Sequence, residues 1–316
     1  MQIVGAFLFP HGTPPLNPET MDTSKVPAYQ STTREGCIRI HNAMRKTATA
    51  LLNTAPDLII MTTPHGFKVP DTYVIYNDEW ISGTAEWNGG WSEFTASIQI
   101  DKEVTEYLLR ELPKTGAEVD QLTNDPQKHT LSEPLQLRWG EVIPWWFIND
   151  EAKKANVSLP KAVIISLPFN MRDAMSANVP AAIKLGNDIY DLLNNAHFLK
   201  SKKVAFVISV DLSHNHSKCK TSRYPYLPAC EEYDSHPLNW AKLDVNATNF
   251  EQSDNELLVK AAALVDNLDS CGYIGLVILQ GVFKRIVDSG GELVAHFVEY
   301  AVPTYFGMLC SYFLSK

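Results

Sequence analysis

The chain has 316 residues, 45% hydrophobic and 20% charged, with a net charge of −9. That acidic balance, with no basic run longer than pairs such as Lys202–Lys203, excludes a nucleic-acid-binding surface as the main function, because phosphate contacts need clustered Lys and Arg. Cys37, Cys219, Cys230, Cys271 and Cys310 are scattered without a CxxC pair, which fits a reducing compartment better than a disulfide framework. The opening residues do not read as a secretory leader, and no apolar run reaches the roughly 18–20 residues that span a bilayer. A cytoplasmic protein engaging neither nucleic acid nor membrane is the expectation.

Residues 2–9 read as a strand that stops at Pro10–His11–Gly12. From there to about residue 33 the chain is rich in Pro, Thr and Ser, a long rim loop of the kind that often serves as a lid. Residues 34–54 carry a helical pattern, with Ile38, Ala43, Ala48 and Leu51 on one side and Arg39, Arg45 and Lys46 outside. Pro56 ends it, and Asp57 to Thr62 forms a second apolar strand leading to Pro64–His65–Gly66. Strands this apolar are expected to be buried on both faces, as in a parallel sheet.

Tyr73–Tyr76 is a short strand, and Trp87–Asn88–Gly89–Gly90–Trp91 is a turn with exposed aromatics, suited to a pocket wall or a subunit contact. Phe94–Ile100 alternates like a half-buried strand, and Asp101 caps a helix through Leu112. Residues 113–135 are polar and irregular. Trp139, Trp145 and Trp146 fall within eight residues, as core or interface filling or as the wall of a pocket for a planar ligand. Ala162–Pro168 is another buried strand, followed by a helix over 179–195. The strand at 203–210 ends in Asp211–Leu212–Ser213–His214. A second long rim loop is expected over 215–250. Then come a helix over 255–267, the stretch Asp269–Ser270–Cys271–Gly272, a helix through Ile286, and strands at 293–302 and 308–314.

Three apolar strands each deliver a histidine at the carboxyl end, where open α/β sheets bind ligands. The expected architecture is one α/β domain, residues 1–316, with a central mostly parallel or mixed sheet flanked by helices.

These residues carry a resemblance. Gly5–Ala6 through Pro10–His11, Pro56–Asp57 through Pro64–His65–Gly66, Ser209 through His214, Cys271–Gly272 and Tyr300 through Gly307 together resemble the LigB superfamily. That superfamily holds the catalytic subunit of class III extradiol ring-opening dioxygenases and the Memo-like proteins. The resemblance implies that His11 and His65 are ligands of a non-haem Fe(II), with Zn(II) or copper as alternatives. It implies that His214 is the acid–base group, with Asp211 orienting it or capping the loop. For the third ligand, Asp269 and Cys271 both remain open: Asp269 supplies an oxygen, and Cys271 makes a softer site. The chain departs from the family at Trp139–Gly140, where relatives carry an active-site His before the Gly.

The implied function is extradiol-type cleavage of a small catecholic or aminophenolic aromatic, in aromatic compound catabolism. The alternatives are a non-catalytic Memo-like metal-binding or redox protein or degenerate subunit, and, third, a metal-dependent hydrolase. A homodimer, or pairing with a related subunit, is the expected assembly.

Overall fold

The computed structural model describes residues 1–20, 33–124, 135–168, 174–216 and 225–316. The strands are β1 (Gln2–Phe9), β2 (Leu58–Thr63), β3 (Tyr73–Tyr76), β4 (Trp80–Thr84), β5 (Thr95–Gln99), β6 (Val119–Leu122), β7 (Gln136–Leu137), β8 (Lys161–Ser166), β9 (Lys203–Ser209), β10 (Leu293–Ala301) and β11 (Met308–Ser315). The helices are α1 (Thr33–Asn53), α2 (Lys102–Glu111), α3 (Trp139–Ala155), α4 (Val179–Asn195), α5 (Ala229–Trp240), α6 (Phe250–Asp254), α7 (Ala262–Val265) and α8 (Tyr273–Asp288).

Eight strands form the main sheet in the order β10-β11-β1-β9-β2-β8-β3-β6. Its centre, β1-β9-β2-β8, is parallel, while β11 joins β1 and β3 joins β8 antiparallel. A small sheet, β5-β4-β7, stands beside it. The apolar runs follow from two-sided burial. In β1, Ala6 and Leu8 enter the core shared with α4 and α8, while Phe7 and Phe9 enter the core shared with α1 and α3. Leu58 and Ile60 alternate in the same way with Ile59 and Met61 in β2, as side chains of successive strand residues must.

Asp101 caps α2 as expected, its Oδ1 accepting from Val104 N at 3.2 Å. Elsewhere the structure corrects the sequence reading. The stretch from Trp139 opens α3, and Pro144 lies inside that helix. Glu141 Oε2 accepts from Arg138 N at 2.8 Å and closes the first turn. Over Val142–Ile148 every side chain is apolar, so that part of α3 has no helical stripe to read.

The loop expected over 215–250 contains α5, started after Pro228 with Glu231 and Glu232 in its first turn. The stretch at 113–135 contributes β6. Most of the rim loop expected over 12–33 lies outside the described residues, as does Cys219. Its described beginning makes a tight turn at Pro14–Leu16, held by His41 Nδ1 donating to Pro15 O at 2.7 Å. Among the described residues, no helix is long and apolar enough to cross a membrane.

Candidate metal centre and its pocket

Strand order brings the site together. β9 lies between β1 and β2, and all three run parallel. The residues just past their ends, His11, Asp211, His214 and His65, therefore share one rim of the sheet. The segment before α8 is stitched to the same rim: Gly272 N donates to Asp211 O at 2.9 Å, and Ser213 bridges Ser270. That stitching delivers Cys271.

His11, His65 and Cys271 form a group whose ligand atoms all lie within 4.8 Å of one another. His11 and Cys271 are almost wholly buried. His11 Nε2 is 3.2 Å from Cys271 Sγ and 3.2 Å from Asp211 Oδ2. The two imidazoles meet edge to face with centroids 4.6 Å apart.

Two imidazoles and a thiol converging on one point suit a divalent transition ion. The hydrogen bonds behind His11 set its tautomer. Its Nδ1 lies 2.8 Å from Ser209 Oγ, whose hydroxyl donates to Gly140 O at 2.6 Å. The imidazole therefore keeps its proton on Nδ1 and turns the Nε2 lone pair to the group, the outer-shell arrangement typical of metal-bound histidines.

Asp211 is buried beside this group. Its Oδ1 accepts from His11 N at 3.2 Å. Burial raises its carboxyl to about 8, against the opposing pull of the His11 and Gly12 amides. Its carboxylate thus engages β1's exit rather than His214. His214 is oriented instead by Leu212 O, 2.9 Å from its Nδ1, and by stacking on Phe306 at 5.2 Å. Because a carbonyl only accepts, Nδ1 carries the proton and Nε2 is the basic nitrogen of the neutral ring. Asp269 is half-buried and outside the three-residue group; its carbonyl accepts from His214 N at 2.9 Å.

A cavity of about 330 Å³ opens in front of His11, His65 and His214. Trp139 forms part of its wall, with its ring 5.1 Å from His65, and Tyr305 and Phe306 also line it. Trp87, in the turn expected to serve as a pocket wall or a subunit contact, also lines it, whereas sequence reasoning did not assign Lys68, Thr304, Tyr305 or Phe306 to the pocket. The closing Tyr300–Gly307 segment was the one available pointer to the last three.

Fold and site together define an α/β protein with a candidate metal centre on the rim of its parallel strands. The chain belongs to the LigB family, described as the catalytic LigB subunit of aromatic ring-opening dioxygenase, which matches residues 5–307. A curated relative, Protein CA_C1420 of Clostridium acetobutylicum, is 25% identical over 294 residues, covering 90% of this chain and 53% of its own. The chain thus spans about half the length of that relative. Among solved structures, the uncharacterized protein JW3007 from Escherichia coli K12 shares the fold, with a TM-score of 0.52 and 13% identity over 98% of this chain and 99% of its own.

Proposed function

We propose that the chain is an extradiol-type dioxygenase that opens the ring of a catecholic or aminophenolic aromatic. The observation that carries this reading is the convergence of His11, His65 and Cys271 where the two histidines face an aromatic-walled pocket. Family membership supports it. In this reading His11, His65 and Cys271 hold the metal, Fe(II) being the ion suited to the reaction, and Zn(II) and copper competing for so soft a donor set. When bound, the metal would supply Lewis acidity toward the substrate's hydroxyl or amino groups and an electron route between ring and dioxygen. His214 accepts a substrate hydroxyl proton at Nε2, since Nδ1–H is committed to Leu212 O. Trp139 and Phe306 offer flat faces that orient the ring and exclude water.

The test is metal content of anaerobically purified protein beside His65→Ala, with oxygen uptake on catechol and 2-aminophenol. Stoichiometric iron that the variant loses, with uptake by the native chain, is the expected result. Metal binding without uptake favours a second reading, a non-catalytic metal-binding or redox protein. Two observations favour that second reading: a thiol rather than a carboxylate in the donor group, and Trp139 packed against His65.

A further inference from the structure

The turn at Trp87–Gly90 is built to hold one ring in one place. Asn88 and Gly89 both have positive φ, 51° and 82°. This is the two-residue hairpin turn that Asn-Gly favours, because its twist matches that of paired strands. Trp87 N donates to Gly90 O at 2.9 Å, Gly90 N returns a bond to Trp87 O at 3.2 Å, and Gly89 N donates to Glu86 Oε1 at 2.8 Å. Trp87 is 37% exposed, a large ring left partly in water at the pocket mouth. Its centroid is 4.3 Å from that of Trp139, which is 5.1 Å from His65, itself 4.6 Å from His11. An aromatic surface therefore runs without a break from the two histidines to the rim.

The pocket is larger than one ring requires. A cavity of about 150 Å³ suffices for benzene, and this one is about 330 Å³. Tyr305 and Phe306 supply aromatic surface on the pocket as well.

We propose that the pocket takes an aromatic diol or aminophenol bearing a second aromatic ring, with the outer ring packed on Trp87 and Trp139. This rests on the ring-opening reading above and narrows its substrate class. The inner ring presents its two heteroatoms to His11, His65 and His214. The outer ring gains the offset or tilted contact that aromatic pairs prefer.

The experiment is anaerobic calorimetric titration of Zn(II)-loaded protein with catechol, 3,4-dihydroxybenzoate and 2,3-dihydroxybiphenyl. Dihydroxybiphenyl is expected to bind about ten-fold more tightly than catechol, equivalent to about 1.4 kcal/mol. Trp87→Ala brings the ratio of the two dissociation constants toward one, and Trp87→Phe, which keeps a ring, largely preserves it. Equal dissociation constants in the native chain overturn the proposal, as does a ratio that Trp87→Ala leaves intact. Tightest binding of dihydroxybenzoate also overturns it and moves recognition to the Lys68 ammonium on the pocket wall. In those outcomes catechol still binds and the ring-opening reading stands. If none of the three binds, that reading falls and this one with it.

Discussion

Ser209 decides which nitrogen of His11 faces the candidate metal centre. The Ser209 hydroxyl hydrogen is committed to Gly140 O at 2.6 Å, so at 2.8 Å its oxygen accepts from His11 Nδ1. In Ser209→Ala the imidazole loses that anchor, and metal affinity is expected to fall about 10- to 100-fold. Competition against a chromophoric chelator measures it. Leaving the buried Gly140 carbonyl without its donor costs about 1–3 kcal/mol of stability as well, read from denaturant unfolding of the metal-free protein.

The third donor can be told apart by its colour. Cobalt(II) bound to a thiolate has a sulfur-to-metal charge-transfer band that oxygen donors lack. The native chain loaded with Co(II) is expected to show that band, Cys271→Ser to lose it, and Asp269→Ala to keep it. A band that survives in Cys271→Ser removes Cys271 from the donor set.

Gly140 lets α3 approach β2. A Cβ there would lie 2.8 Å from His65 Cβ and 2.8 Å from Thr63 Oγ1. Gly140→Ala must push His65 outward or shift the helix, at a cost of about 1–3 kcal/mol. Lower thermal stability together with reduced metal occupancy is the expected outcome. Unchanged occupancy would mean that the helix, not His65, gives way.

Glu141 makes stability fall as pH rises. Full burial raises its carboxyl to about 7, against the opposing hydrogen bonds from the Arg138 amide and from the Tyr76 hydroxyl at 3.2 Å. The folded state therefore holds a proton that the unfolded state has released above about pH 4.5. The stabilising difference is complete below that pH and is lost as pH rises through about 7. Asp211, raised to about 8, acts with the same sign. Chemical unfolding of the metal-free protein at pH 5 and pH 8 is expected to show the loss, and Glu141→Gln to shrink it by up to ~3 kcal/mol, at about 1.4 kcal/mol per pKa unit. A pH dependence identical in the variant would show that Glu141 does not titrate in this range.

Much of the fold was legible because the parallel strands are buried on both faces and so appear as unbroken apolar runs ending at His11, His65 and Asp211. Helix α3 was not legible, because the unbroken apolar run Val142–Ile148 leaves no period, and Pro144 and three tryptophans argue against a helix locally. Helix α5 was hidden among Pro225, Pro228 and Pro237 in a polar stretch. The placing of Trp87 at the pocket was half legible: Asn88–Gly89 announces the turn, but not what the turn faces.

The type of each central strand and the histidines at their ends could be read from the chain alone, since both follow from neighbours a few residues away. That β9 lies between β1 and β2, that Asp211 turns to His11 rather than His214, and that Cys271 stands 3.2 Å from His11 across a separation of 260 residues emerged with the assembled fold. Strand order and close contact at that separation depend on how the two faces of the sheet bury their side chains together, a collective balance that no local stretch of chain encodes.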